Sequence, residues 1–367
     1  MQTFSINYLN KMAEEVRREG LDAILIAPSE DLLFITGHNP IFCERFQGLF
    51  VKADGEYFYV CNLLTKDEME AILPNKKVYA WFDGDGFQTA VRQALEENGL
   101  IGKTIGVNAT VRAFNLLEIS EAVDVHWVSA RLLPQEIRIY KTDREIEAMR
   151  KAANIAERAL EQTLSKIRVG MTEGEVKSIL LAHMAQFGGK NARALVAAGP
   201  NGGYPHYNLG LRTLEKADAI VIDFGCEYDL VRTDITRTVF LGEPTQKQRE
   251  VYDLVRRANE AAEAIAAAGA WIPDLDEAAR SVITEGGYGP WFTTRLGHGI
   301  GYLGHEAPDI KKNNCRHLEP RMCFTIEPGI YLGGEFGVRI EDCVVILPDG
   351  KAEILHHFTK DYIILDA

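Results

Sequence analysis

The sequence predicts an α/β domain over residues 1–138, followed by an α+β domain over residues 139–367 with a pseudo-twofold internal duplication. Length is the first reason: 367 residues exceed the roughly 100–200 usual for one domain. Alternation is the second, since strand-like and helical runs succeed one another up to about residue 135, as in layered α/β packing. Repetition is the third. Beyond that point, helical stretches are interrupted by two strand-rich blocks of like design, each carrying a pair of acids.

In the first domain, Leu9, Met12 and Val16 mark one face of a helix that stops at Gly20, and "DAILIAPS" follows as an apolar strand. "GLFVKADGEYFYVCNL" sets an Asp54-Gly55 turn between two strand-like runs and reads as a hairpin. "KKVYAWF", "FQTAVRQALEENG" and "KTIGVN" then give strand, helix and strand. The "DGDG" run at Asp83 to Gly86 lacks the ligand spacing of a calcium loop and reads as a plain turn.

The second domain opens near residue 138. There "LPQEIRIYKTDREIEAMRKAAN" leads to Thr142, three residues ahead of Glu145 in a capping-box pattern that begins a long helix. Helices are also expected over "TEGEVKSILLAHMAQFG", "KQREVYDLVRRANEAAEAIAAAG" and "DLDEAARSVITEGG".

The strand-rich blocks hold the chemistry. In "AIVIDFGCEYDLVRTDITRTVFLG", β-branched apolar runs flank "CEYDLV", so two antiparallel strands are expected. A turn centred on Tyr228-Asp229 sets Asp223 directly opposite Asp234, with Cβ atoms about 4.5–5.5 Å apart. In "CFTIEPGIYLGGEFGVRIEDCVVILPDG", a turn near Gly333-Gly334 sets Glu327 opposite Glu341. Acids usually lie on solvated faces, but Ile222 and Phe224, and Ile326 and Pro328, flank these ones. Four converging carboxylates repel one another unless cations lie between them. With one histidine they make five oxygen and nitrogen ligands, a set that suits two bridged divalent ions such as Mn, Co, Fe or Zn. Such ion pairs, about 3.5–4 Å apart, activate water for attack on a carbonyl.

The histidine comes from "TRLGHGIGYLGHE" at 294–306. Each glycine in it costs a helix about 1 kcal/mol relative to alanine, so a helix is not expected. Glycines instead permit bulges and positive φ angles that re-aim side chains. His298 and His305 then take different jobs, one binding metal and the other free to meet substrate.

Composition narrows the field. A formal net charge of −13 argues against a phosphate backbone as partner. The charged start of the chain shows no leader, no apolar run reaches transmembrane length, and six scattered cysteines without a CxxC pair suit reduced thiols in the cytoplasm. Cys315, His317 and Cys323 match no common zinc spacing. His38, His126, His183, His317, His356 and His357 read as ordinary surface or core residues.

The ordered motifs "PHY" at 205–207, "DFG" and "TDITRT" within 223–238, "GHGIG" and "HE" within 297–306, "EPGIY" at 327–331 and "VRIED" at 338–342 resemble the pita-bread metallopeptidases. Among these the chain looks like the Xaa-Pro dipeptidase (prolidase) and Xaa-Pro aminopeptidase group, and the first domain is similar to that group's creatinase-like amino-terminal domain. The resemblance implies a dinuclear-metal peptidase that cleaves between an amino-terminal residue and proline, with the dipeptidase favoured. Xaa-Pro aminopeptidase, a creatinase-like C–N hydrolase and a non-catalytic binding module are the alternatives. It also implies Asp223 as ligand of one metal, His298 and Glu327 as ligands of the other, and Asp234 and Glu341 as bridges. Glu327 or its neighbourhood acts as general base, His206 and His305 meet substrate, and Arg339 supports the carboxylates and contacts substrate. Manganese is the first choice of metal, ahead of cobalt, zinc or iron. Short proline-containing peptides are the expected partners, in a homodimer that engages neither nucleic acid nor membrane. Departures are Thr233, where serine is commoner, and Thr294, where many relatives carry histidine.

Overall fold

The computed structural model describes residues 4–73 and 77–367. Met1 to Thr3, at the head of the charged start of the chain, and Lys76, at the head of the "KKVYAWF" strand, lie outside the described residues. The chain divides into two compact units, Met1–Arg138 and Ile139–Ala367.

The first unit carries helices α1 (Ile6–Arg18), α2 (Glu30–Thr36), α3 (Leu63–Ile72), α4 (Gln88–Glu97), α5 (Ala113–Ala122) and α6 (Leu133–Arg138). Its strands are β1 (Ala23–Ile26), β2 (Gly48–Lys52), β3 (Tyr57–Asn62), β4 (Val78–Trp81), β5 (Thr104–Val107) and β6 (His126–Ser129). Among the described residues they form one mixed sheet in the order β4-β3-β2-β1-β5-β6. Leu9, Met12 and Val16 of α1 are fully buried, and the helix ends before Gly20, whose φ of +69° only glycine adopts easily. The β2–β3 hairpin turns at Gly55, as its Asp-Gly pair requires.

The second unit is built twice over. Its first half runs α7 (Asp143–Leu164), α8 (Glu173–Gln186), β7 (Lys190–Ala198), β8 (Ala219–Tyr228), β9 (Val231–Arg232) and β10 (Ile235–Leu241). Its second half runs α9 (Gln246–Ile265), α10 (Ile272–Glu285), β11 (Gly297–Gly299), β12 (Glu306–Ile310), β13 (Cys323–Ile326), β14 (Gly329–Leu332), β15 (Phe336–Arg339), β16 (Asp342–Ile346), β17 (Ala352–Ile354) and β18 (Ile363–Leu365). Each half is thus two helices followed by a mainly antiparallel sheet, the duplication expected from the paired blocks, with β18 from the end of the chain adding in parallel to β10 of the first half. The sheets run β18-β10-β8-β7 and β12-β11-β13-β16-β17, and β14-β15 form a ribbon.

Capping boxes at Thr142/Glu145 and Thr245/Gln248 start the leading helix of each half. Each half has its own core: Ile155, Leu160, Leu180, Ile222 and Phe224 pack in the first, and Val255, Leu275, Phe324, Ile326 and Val344 in the second. Among the described residues no helix is long and apolar enough to cross a membrane.

Register decides where the acids point. In β13–β16 and again in β14–β15, partner numbers sum alike, as in Ile326 with Asp342 and Gly329 with Arg339. Continued across the break between the two ladders, that register sets Glu327 across from Glu341, as expected from the sequence. The first block differs. Asp223 pairs with Thr236, and Tyr228 pairs with Val231, so the turn lies on Asp229-Leu230, both with positive φ (48° and 73°). Asp223 and Asp234 are therefore diagonal neighbours on one face, not directly opposed. Moving the turn by one residue shifts the partner by two positions, which preserves the face.

Candidate metal centre

The two halves meet at an isolated bridge between Thr236 and Glu341, and the acids gather around it. Asp223 is on β8, Asp234 just precedes β10, His298 is on β11, Glu327 follows β13, and Glu341 lies between β15 and β16. Their ligand atoms form three groups, each within 4.8 Å: Asp223, Asp234 and Glu341; His298, Glu327 and Glu341; and Asp234, His298 and His305. Because the groups share Asp234, Glu341 and His298, they make one continuous cluster.

Burial makes the cluster costly without a counter-ion. Asp234 is 2% exposed, Glu341 1% and His298 2%. Burial, followed by the charges of Asp223 and Glu327, pushes the Asp234 carboxyl up to about 7 against the pull of Arg193 and His298. Burial, with Asp234, Glu327 and Asp223 around it, likewise raises Glu341 well above the usual carboxylate range. Burial acts upward on Glu327 too, but the hydrogen bond and charge of His298 outweigh it and hold that carboxyl at about 2. His298 Nε2 lies 3.1 Å from Glu327 Oε1 and is raised by that partner against its own burial. Among the described residues, Asp234 Oδ1 is buried without a hydrogen-bond partner. A buried carboxylate oxygen left open in a cluster of hard oxygen and imidazole donors fits a divalent cation.

The supporting shell is polar and fully engaged. Arg339 donates to Asp223 Oδ2 (2.6 Å), to Thr236 Oγ1 (3.0 Å) and to the Tyr331 hydroxyl (3.0 Å). Thr236 Oγ1 in turn donates to Glu341 Oε2 at 2.6 Å, linking the guanidinium to the carboxylate two residues along the chain. Thr325 Oγ1 accepts from the His298 backbone N–H (3.1 Å) and donates to Glu327 Oε1 (3.2 Å). Tyr331 is buried, and its hydroxyl accepts from Arg339.

The two histidines converge, with ring centroids 4.0 Å apart. The glycines around them serve close approach rather than unusual φ. A Cβ at Gly297 would stand 1.9 Å from the Thr325 carbonyl oxygen, and one at Gly299 would stand 2.1 Å from that of Ala307. None of Gly297, Gly299, Gly301 and Gly304 has a positive φ, although β11 does carry the expected register shift. His305 is exposed on part of its surface, while partial desolvation of its ring by the surrounding protein, with the charges of His298 and Arg295 nearby, lowers it to about 4. A neutral imidazole can ligate a metal or hydrogen-bond a substrate. His206 lies on the exposed loop after β7, where the Pro205 carbonyl comes within 3.5 Å of Arg339 Nη1, but it joins none of the three groups. Cys315, His317 and Cys323 form no such group among the described residues.

Sequence reasoning missed Arg193 and Thr236. Arg193, on β7, contacts Asp234 Oδ2 and reaches Asp223 Oδ1 at 3.4 Å. Its one signal was a charged residue two positions before Leu195 on a strand neighbouring the acids.

Comparison with known proteins agrees with this arrangement. Residues 147–348 match the model of metallopeptidase family M24, and residues 9–140 match the creatinase/prolidase N-terminal domain. An uncharacterized peptidase of Staphylococcus aureus is 30% identical over 354 residues, which cover 96% of this chain and 99% of that one. A recombinant prolidase from Thermococcus sibiricus superposes with a TM-score of 0.93 at 30% identity, covering 99% of this chain and 100% of its own. An X-Pro aminopeptidase from Thermotoga maritima superposes with a TM-score of 0.82 at 31% identity, covering 97% and 99%.

Proposed function

Since this chain belongs to metallopeptidase family M24, we propose that it hydrolyses the peptide bond between an amino-terminal residue and proline, with Xaa-Pro dipeptides as its preferred substrates. The observation that carries this reading is the single buried cluster in which Asp234 and Glu341 are each shared between ligand groups, the arrangement a pair of bridged ions needs. In this reading Asp223 holds one ion, His298 and Glu327 hold the other, and Asp234 and Glu341 bridge. Manganese is the resident ion, with cobalt, zinc or iron as substitutes. The assembly is a homodimer in the cytoplasm, where six free cysteines stay reduced.

Two divalent ions, when bound, supply Lewis acidity and lower the pKa of water so that a nucleophile exists near neutral pH. The chain's own groups do the rest. Glu327, ionised beside His298, accepts the proton of the attacking water and passes it to the departing proline nitrogen. His305 donates a hydrogen bond to the carbonyl oxygen as charge develops on it, and His206 meets the substrate from the loop whose Pro205 carbonyl lies beside Arg339. Arg339 holds Asp223 in place from behind and touches the substrate. The bond before proline is a tertiary amide without an N–H, so recognition falls on the ring and on a free amino terminus drawn to the acidic cluster. That charge preference also excludes internal cleavage.

Likeness to the Thermotoga X-Pro aminopeptidase favours longer peptides as a second reading. Turnover of Ala-Pro and Met-Pro against Arg-Pro-Pro at saturating Mn decides between them. Dipeptide preference, slow or absent cleavage of Xaa-Ala and none of blocked amino termini are expected. Preference for the tripeptide overturns the dipeptidase, and failure on every Xaa-Pro bond moves the chain to creatinase-like C–N hydrolysis or a binding role.

A further inference from the structure

The cations at the cluster are not equivalent. Arg339 is 3% exposed and tied down at three points, to Asp223, Thr236 and Tyr331. Its place is permanent. The Arg193 side chain is 41% exposed, and Asp223 and Asp234 are the partners it engages at the cluster. It thereby engages one oxygen of each of the two aspartates that the Asp223, Asp234 and Glu341 group brings together. Asp234 Oδ1, by contrast, is buried without a hydrogen-bond partner among the described residues.

We propose that Arg193 is a built-in counter-ion that occupies the Asp223/Asp234 position and must swing out to solvent before a divalent ion can bind there. The inference rests on the reading of these aspartates as metal ligands and adds a competitor for one of the two positions. A guanidinium spanning two carboxylates makes charge-assisted hydrogen bonds that relieve their repulsion in the metal-free protein. The ion that enters must replace those bonds, so its net affinity is lowered by their worth. Among the described residues no arginine hydrogen-bonds to the Glu327 or Glu341 carboxylate at the position formed with His298, where Glu327 is held by the imidazole that would itself ligate and by the Thr325 hydroxyl. The two ions therefore bind with unequal affinity, the Asp223 side being the weaker. Arg193 has an exposed exit, and that is what makes it a competitor rather than a fixed support.

Two measurements test this on the full-length protein stripped by chelator. In calorimetric titration with MnCl2, R193Q should tighten the weaker site by about ten- to hundredfold, the fold-change matching a hydrogen bond between charged groups. The stronger site should change little, and the metal-free variant should melt a few degrees lower than wild type. Phenylglyoxal labelling of wild type, mapped by mass spectrometry, needs no variant to fold. Arg193 should label faster with Mn than without. Equal weaker-site affinity in wild type and R193Q, loss of that site in R193Q, or slower labelling with Mn overturns the counter-ion role alone. Absence of Mn binding by both proteins overturns the dinuclear reading and this proposal with it.

Discussion

Lys141 Nζ lies 2.8 Å from Glu306 Oε1, and both side chains are 1% exposed, so a sealed ion pair is formed by the residue that follows His305 in the chain. Gly301 makes room for it, since a Cβ there would come within 2.4 Å of Lys141 Cε and 2.6 Å of Glu306 Oε1. Glu306 also accepts from the Leu303 backbone N–H at 3.2 Å, which ties down the loop between the two histidines. Removing one partner of a buried pair leaves an uncompensated charge and typically costs about 3–5 kcal/mol. Lys141→Met should therefore destabilise the protein by about that much. Lys141→Met combined with Glu306→Leu should recover part of the loss. Denaturant unfolding checks both, and an unchanged midpoint for Lys141→Met refutes the idea.

The neighbouring histidines separate by metal content. His298 is buried against Glu327, so His298→Ala should lose bound metal together with activity. His305 is exposed, and His305→Ala should keep metal and lose turnover by about 10²–10³, the usual cost of one donor to a developing oxyanion. Elemental analysis beside turnover reads the difference. Equal metal loss in both variants would make His305 a ligand, an outcome its place in the Asp234, His298, His305 group allows.

The shared acids should matter most. Asp234→Asn and Glu341→Gln each remove a charge from two ligand groups at once, so both should lose metal and activity. Full activity in either variant, or activity that survives exhaustive chelation of the wild type, sinks the two-metal reading.

Much of this was legible in the sequence because strand parity is robust. Asp223 and Asp234 could be assigned to one face even with the turn misplaced by one residue, since the partner then moves by two and the face is kept. Glu327 and Glu341 could be paired outright, because a Gly-Gly turn fixes the register of the ribbon that leads to them. The turn at Asp229-Leu230 was harder: a leucine at φ 73° is unusual, and nothing local advertises it. Arg193 was illegible for another reason. Its partners lie 30 and 41 positions away, and an arginine in a strand looks the same whether it faces water or a cluster of acids. Tyr331 was no more legible, because an exposed ring and a buried one are identical in sequence, and only the fold shows its hydroxyl as a partner of Arg339.

Metal and protons should compete for the cluster, which gives the metal-free protein an unusual pH dependence. The Asp234 carboxyl sits at about 7 in the fold, whereas an unfolded chain gives up that proton near pH 4. Between roughly pH 4 and 7 the folded state therefore binds more protons than the unfolded state, and stability falls as pH rises. The contribution is fully present below the unfolded value and is lost as pH climbs through the folded one. Glu341 and His298, both raised, act in the same direction. Glu327 is depressed to about 2, so its contribution is lost only as pH falls toward that value, and its window lies below this one. The slope should reach about 1.4 kcal/mol per pH unit for each proton retained. Bound divalent ions replace those protons, and their affinity rises as the carboxylates ionise. The gap in melting temperature between Mn-saturated and chelator-treated protein should therefore widen from about pH 5 to about pH 7.5, with protons released on binding. Taking the difference cancels the titration of the rest of the chain. Thermal scans across that range, with calorimetry in two buffers of different ionisation enthalpy, read both effects. A gap independent of pH, with no proton release, would mean that the carboxylates are already ionised in the metal-free fold and that their charge is neutralised by Arg193, Arg339 and His298 alone.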